Sequence, residues 1–259
     1  MKAIILAAGA GHRLQPYSSS KPKCLVEVAG QSLLQRQIDV IRSQKIDDIS
    51  VITGYMADKI DVKKTRKFHN QKYAHTNMVS TLFVATEILN SGDPVIVSYG
   101  DIIYQKEILR RVISCNAPIC LPVDVQWERY WSARMPNPLN DVETLKLSAD
   151  NDVIELGKKP TSRSEIQGQY IGLMKFDASL AGQLTTIYNG LDRSEEYDGK
   201  DFYNMYMTTF LQILIDRKWR AKAIKIENGW LEVDTPQDLE LYDTMYGNGT
   251  LSQFIDLSQ

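Results

Sequence analysis

The chain has 259 residues, is 43% hydrophobic and 24% charged, and carries 30 Lys and Arg against 32 Asp and Glu. That balance suits one globular core, or one core with a small appendage, and leaves no basic footprint for nucleic acid. No apolar run is long enough to span a membrane. "AIILAAGAG" near the start is a poor signal peptide, because a single Lys2 precedes it and Arg13 follows, so a cytoplasmic location is expected.

In chain order, "KAIILAA" predicts a strand and "CLVEV" another. "SLLQRQIDVIRSQ" has apolar residues at helical spacing behind a possible Ser32 cap. "DISVITG" reads as a strand, "STLFVATEIL" as a helix, "PVIVSYGD" as a strand, "KEILRRVIS" as a helix and "APICLPVD" as a strand. This alternation predicts an α/β fold with a mostly parallel sheet flanked by helices. Farther on, "ETLKLS" and "VIELGKK" flank the turn "ADND" as a hairpin, and "GQYIGLMKF" reads as one strand. "YNMYMTTFLQILIDRK" is a helix, "AKAIKI" a strand, and "DTPQDLELYDTMY" a helix capped by Asp234 or Thr235. We expect one domain over 1–259, with a small β-rich lobe at about 126–172 over the carboxyl ends of the strands. Cys24, Cys115 and Cys120 form no C-x-x-C, so each is expected to be a small buried residue, in neither a disulfide nor a zinc site. His12, His69 and His75 have no metal-spaced partners.

The loop after the first strand sits where ligands bind in such a sheet. Leu6, Ala7, Ala8, Gly9, Ala10 and Gly11 bring backbone N–H groups with little side-chain bulk, on which a phosphate chain can lie. Arg13 adds a forked donor for phosphate oxygens. The loop lacks the third glycine of a dinucleotide fingerprint and the G-K-[ST] of a P-loop.

The run "LAAGAGHRLQPYSSSKPKCLVEVAGQSLL" resembles the signature of nucleotidyltransferases that activate sugar 1-phosphates and related phosphate esters: L-A-A-G-x-G-x-R-L-x-P, then P-K, then a strand and a helix. Only Ser18 to Ser20 depart, where threonine is common. The resemblance implies a Rossmann-like sheet of the GT-A type. It also implies attack by a substrate phosphate oxygen on the α-phosphorus of a nucleoside triphosphate, with pyrophosphate leaving. Arg13 then matches the arginine that grips the departing pyrophosphate, and Lys23 the lysine at the reacting centre. Asp101, in "VIVSYGD", and Asp234, in "WLEVDTPQDL", match a pair that holds Mg²⁺ or Mn²⁺, though each also fits as a helix cap. Gly100 belongs to the same nucleotide-side edge. Lys159 in "GKKP" resembles the substrate-phosphate lysine of an E-K-P element, with Lys158 replacing the glutamate that contacts the sugar in sugar-activating members.

"HTNMVSTLFVA" resembles the N-x-x-S-L element of cytidylyltransferases acting on phosphocholine and similar head groups. Asn77 and Ser80 would meet a pyrimidine edge, or Asn77 or Thr76 is simply the helix cap. "RYWSARMPNPLNDVETLKLSADNDVIELGKKPTSRSEIQGQYIGLMKF" is similar to the matching segment of bacterial phosphocholine-cytidylyltransferase-like proteins. Its rings and charges could hold a zwitterion: Trp131, Asp141, Glu143 and Tyr170 around an ammonium, Arg129 or Arg134 on a carboxylate. Trp127 and Trp131, four apart, could equally be core. The expected partners are CTP and a small nitrogen-containing phosphorylated acceptor, with the chain a monomer or homodimer. The alternatives are a sugar-1-phosphate uridylyl- or thymidylyltransferase, a GT-A glycosyltransferase, and an inactive binding domain. The single aspartate of "YGDII" lacks the D-x-D of the glycosyltransferases, and the presence of Arg13, Lys23, Asp101 and Asp234 together argues against an inactive domain. The tail "GNGTLSQFIDLSQ" carries Leu251, Phe254, Ile255 and Leu257, which would dock on the core or on a neighbouring subunit.

Overall fold

The computed structural model describes residues 1–257. Its strands are β1 Lys2–Ala7, β2 Glu27–Val28, β3 Gln31–Ser32, β4 Ile49–Thr53, β5 Arg66–His69, β6 Val95–Tyr99, β7 Ile102–Tyr104, β8 Ile119–Asp124, β9 Leu145–Leu147, β10 Val153–Leu156, β11 Gln169–Tyr170, β12 Leu173–Phe176, β13 Ala221–Ile226 and β14 Trp230–Glu232. The helices are α1 Leu33–Ser43, α2 Met78–Leu82, α3 Thr86–Leu89, α4 Lys106–Ser114, α5 Trp127–Arg134, α6 Ala178–Asn189, α7 Met207–Asp216 and α8 Pro236–Gly247.

The central sheet runs β11-β8-β12-β6-β1-β4-β5, with β13 on the other side of β8. The β1, β4, β5 and β6 strands are parallel to one another, as are β8 and β13, while β11 and β12 run antiparallel to their partners. Period-two alternation along β1 sends Ala3, Ile5 and Ala7 into one core, shared with α1, α4 and α8. It sends Ile4 and Leu6 into the other, shared with α2, α6 and α7. This is the mixed, mostly parallel sheet between helices that the sequence predicts.

Several local expectations change. "CLVEV" is a 3-10 turn at Lys23–Leu25 followed by the two-residue β2. "STLFVATEIL" breaks into α2, a 3-10 turn at Phe83–Ala85 and α3, a stretch whose Val and Thr residues lower helix propensity. "GQYIGLMKF" splits into β11 and β12 at Gly172, where φ is +82° and an added Cβ would lie 2.5 Å from the Tyr99 ring. The segment at 126–172 begins with α5, holds the hairpin β9–β10, and rejoins the main sheet through β11. Trp127, Tyr130 and Trp131 of α5 are buried in one core. Leu145, Val153 and Leu156 of the hairpin are buried in the other.

The cysteine expectation is corrected: Cys115, after α4, and Cys120, in β8, form a disulfide across five residues, because the chain doubles back at Ala117 and Pro118. Cys24 alone is a free buried thiol, pushed up to about 12 by its burial. The tail packs on its own core: Leu251, Phe254 and Ile255 are buried, and Leu257 lies partly buried against them. Residues 258 and 259 lie outside the described residues. No helix among the described residues is long and apolar enough to cross a membrane.

Candidate active site

The site forms at the carboxyl ends of β1 and β6, where β7 and β14 make a two-stranded ribbon. Glu232 pairs with Ile102, and the next bond, Val233 N–H to the Asp101 carbonyl, measures 2.9 Å. This ribbon brings Asp101 and Asp234, 133 positions apart in the chain, to one point. Asp234 is not the cap of α8. Thr235 caps it, accepting from the Asp238 N–H in a capping box with Pro236 at the first turn, so the Asp234 carboxylate is left for the site.

Lys23 sits between the two aspartates, its Nζ 2.9 Å from Asp101 Oδ2 and 2.7 Å from Asp234 Oδ1. Burial works to lower its pKa, but the two carboxylates outweigh it and raise the pKa above its ordinary value, so the ammonium stays charged. The loop shapes itself around this lysine. Gly11 has φ +64°, and a Cβ there would stand 2.9 Å from Lys23 Cβ. Ser18, buried where threonine was expected, donates to the Gly11 carbonyl at 2.7 Å and clasps the loop. Arg13 is 72% exposed and reaches back to Asp234 Oδ2 at 2.7 Å. Asp101 Oδ1 is buried without a hydrogen-bond partner.

Two hollows meet at this knot. One is lined by Leu6, Ala7, Gly9, Lys23, Asn77, Gly100 and Asp101, with Cys24, Met78 and Tyr99. Of the expected nucleotide-side residues, Ala8 is buried beneath it with its carbonyl bonded to the Tyr55 N–H, and Ala10 and Gly11 continue the loop outside its lining. Asn77 faces both hollows, but its carboxamide is committed. Its Oδ1 accepts from the Met78 N–H, and its Nδ2 donates to the Asn204 carbonyl. Ser80 lines neither hollow: its hydroxyl donates to the Tyr203 carbonyl at 2.8 Å and lies 3.1 Å from the Tyr188 hydroxyl.

The second hollow is acidic and aromatic. Asp141, Glu143, Glu232 and Asp234 contribute carboxylates, Trp131, Tyr170, Tyr206 and Trp230 contribute rings, and Arg13 is its one guanidinium. Trp131 Nε1 donates to Asp141 Oδ2 at 3.0 Å, so this ring serves both core and hollow. Gln169 pins the Glu143 backbone from both sides, donating to its carbonyl and accepting from its N–H. Burial, reinforced by Asp141 and Glu232, pushes the Glu143 carboxyl up to about 7. Glu232 is likewise pushed up to about 7, by burial first and then by Asp101 and Asp234, against the pull of Arg134.

Three expected acceptor residues are elsewhere. The Arg134 side chain is 2% exposed and holds Glu232 Oε2 at 2.9 Å and Asp238 Oδ1 at 2.9 Å, so its guanidinium is tied down inside the protein and lines neither hollow. Arg129 is exposed on the outer face of α5, donating to Gln253 and lying over the Phe254 ring. Lys159 is exposed and lines neither hollow. Sequence reasoning also missed Glu232, Gln169, Tyr99 and Trp230. For Glu232 the signal was present, since it stands two residues before Asp234 on an extended segment and so shares its side.

Among the described residues no group of three or more His, Cys, Asp or Glu is arranged to hold a metal. Two hard carboxylates with one unpartnered buried oxygen still fit Mg²⁺, which takes one or two carboxylates and completes its shell with phosphate oxygens and water.

Residues 3–146 match the MobA-like NTP transferase domain. The chain is 40% identical, over 93% of its length and 98% of the relative's, to the CTP:phosphoglutamine cytidylyltransferase of Campylobacter jejuni. It is 42% identical to the choline-phosphate cytidylyltransferase of Streptococcus pneumoniae, over 35% of this chain and 42% of that protein. The solved structure of CTP:phosphocholine cytidylyltransferase from Streptococcus pneumoniae superposes with a TM-score of 0.71 at 22% identity, covering 95% of this chain and 98% of that one, and shows a common fold.

Proposed function

The chain belongs to the MobA-like NTP transferase family, and from that premise we propose that it transfers CMP from CTP to a small phosphorylated head group bearing a cationic nitrogen, releasing pyrophosphate. The observation that carries this reading is the acidic, ring-lined hollow that reaches Asp234, which Lys23 joins to Asp101. Carboxylates and aromatic faces attract an ammonium and offer a neutral hexose little in proportion to their cost. Phosphocholine, phosphoethanolamine, aminoethylphosphonate and phosphoglutamine have this character, and the 40% identical relative is named for the last. An amino-acid head group would set its amine toward Glu143. Its carboxylate would face the open mouth, since Arg129 and Arg134 are turned away and Arg13 is assigned to the pyrophosphate.

The reaction presses two anions together, so positioning and neutralisation supply most of the catalysis. The bare loop from Ala7 to Gly11 lets the triphosphate lie against backbone. Lys23 holds a proton-rich donor at the α-phosphate, and exposed Arg13 is free to leave Asp234 for the pyrophosphate. Asp101 and Asp234 would hold Mg²⁺ or Mn²⁺, which supplies charge neutralisation at the phosphates when bound. The setting is the cytoplasm, and the product an activated head group for surface polysaccharide or lipid.

A pyrophosphate-release screen tests the reading by crossing CTP, UTP, dTTP, ATP and GTP with these head groups and glucose 1-phosphate. CTP with a nitrogenous head group is expected to dominate. Efficient use of glucose 1-phosphate, with no head group accepted, refutes the acceptor assignment, and comparable rates with ATP or GTP refute the choice of CTP. In the same assay Asp101→Ala and Asp234→Ala should each abolish turnover at any Mg²⁺ level while the fold survives. A near-normal rate in either removes that residue from the site.

A further inference from the structure

Asp124 ends β8 with no solvent exposure and takes no part in the chemistry above. Burying a carboxylate is costly unless it is fully hydrogen-bonded. No cation pairs with this one among the described residues. Instead three N–H groups converge on it. Oδ1 accepts from the Gln126 N–H at 2.9 Å and the Asn228 N–H at 3.1 Å, and Oδ2 accepts from Trp230 Nε1 at 2.8 Å. Burial raises its pKa, and these three donors pull it back toward the ionised form.

One donor, Trp230, lines the acceptor hollow, and the other two stand at the start of elements that carry lining residues. Gln126 directly precedes α5, which carries Trp131. Asn228 lies in the turn from β13 to β14, and Trp230 is itself a wall. The Trp230 ring packs 5.9 Å from Trp131 and 5.1 Å from Tyr130. All three partners are donors, and an ionised aspartate only accepts, so the match is to the carboxylate specifically. Asparagine has the same shape but would turn an NH₂ toward one N–H. An indole whose N–H is fixed has its ring plane fixed.

We infer that Asp124 is a positioning residue for acceptor recognition, setting the Trp230 ring and the start of α5 so that the aromatic wall of the acceptor hollow has one shape. It touches no substrate and acts through Trp230. Its removal therefore bears on the acceptor and spares CTP, since neither Trp230 nor Trp131 lines the hollow assigned to the nucleotide. The inference rests on the functional reading above, and its test includes a readout that does not.

The test is Asp124→Asn, with pyrophosphate release measured for phosphocholine and phosphoglutamine in turn. KM for the accepted head group should rise ~10-fold, in keeping with a hydrogen bond to a charged acceptor, while KM for CTP moves less than ~2-fold. In a Trp230→Phe background, where the donor is already gone, Asp124→Asn should add little to the acceptor KM. In the free protein, the near-UV circular dichroism that Trp230→Phe removes from the native spectrum should also be absent from Asp124→Asn, with far-UV signal unchanged. Equal rises in both KM values, an undiminished effect in the Trp230→Phe background, or a retained Trp230 signal overturns the inference. If the unaltered protein uses neither head group, the functional reading has failed, and the near-UV spectrum alone decides the positioning claim. If Asp124→Asn does not fold, Trp230→Phe alone must raise the acceptor KM and spare that of CTP, and an unchanged acceptor KM overturns the inference.

Discussion

Lys23→Met keeps the length and apolar stem of the side chain and removes only the ammonium. The structure sets the scale of the loss. Nζ makes two contacts, at 2.9 Å to Asp101 and 2.7 Å to Asp234, with the lysine side chain 13% exposed and the aspartates 20% and 12%. A preorganised charge at a reacting phosphate contributes about 3–4 kcal/mol to the barrier, so kcat should fall ~10²–10³-fold. The lysine acts on charge that develops during transfer, so KM for CTP should move less than ~3-fold. A second effect is structural. Without the ammonium, Asp101 and Asp234 repel each other across a half-buried gap, and stability should drop, with Mg²⁺ restoring more of it than it adds to the unaltered protein. The assay is steady-state pyrophosphate release with CTP and the accepted head group, with folded fraction checked by thermal denaturation with and without Mg²⁺. A variant that kept its kcat within ~3-fold, or that lost only CTP affinity, would refute the placement of Lys23 at the reacting centre.

Arg13→Ala removes an exposed guanidinium that is expected to grip the pyrophosphate in ground and transition states alike. KM for CTP should therefore rise along with a loss in kcat, and a pure kcat defect contradicts that role. Glu143→Gln tests the buried carboxyl whose pKa folding raises from 4.5 to about 7. The folded chain holds this proton more tightly than the unfolded chain, so the residue's contribution falls as pH climbs from about 4.5 to about 7. The glutamine variant should gain stability relative to the parent between about pH 5 and about pH 8 in urea denaturation, and parallel curves count against the assignment. Arg134→Ala breaks a buried pairing with Glu232 and Asp238 and should cost about 3–5 kcal/mol of stability. An unchanged melting temperature with only the acceptor KM altered would restore Arg134 as a substrate ligand.

Local pattern was enough for the sheet, and with the family resemblance it singled out the small-residue loop after β1 and the four charged groups that the fold brings together at its mouth. Alternation along "KAIILAA" and helical spacing along "SLLQRQIDVIRSQ" are properties of neighbours in the chain, and the elements they specify appear as β1 and α1. Arg13 and Lys23 lie in one contiguous motif, and Asp101 and Asp234 each end an extended segment, so their types and positions could be read directly. Gly11 and Ser18 belong to that same motif, yet their service to Lys23 is visible only once the loop has closed on it.

What a charged or polar side chain faces was decided by tertiary structure alone. Arg129, Arg134 and Ser80 carry suitable donors, but a donor's partner depends on which elements pack beside it. The packing of α8 gives Arg134 to Glu232 and Asp238, the tail gives Arg129 to Gln253 and Phe254, and the segment at 202–204 gives Ser80 to the Tyr203 carbonyl. Gln169 and Asp124 went unremarked for the converse reason, since nothing in their own neighbourhoods distinguishes them, whereas Glu232, two residues before Asp234, was legible and overlooked. Hydrophobic period is fixed by the backbone's own geometry and survives in any short window of sequence. Electrostatic and hydrogen-bond pairing is fixed by distances of about 3 Å between residues that can be a hundred positions apart, and only the folded chain sets those distances.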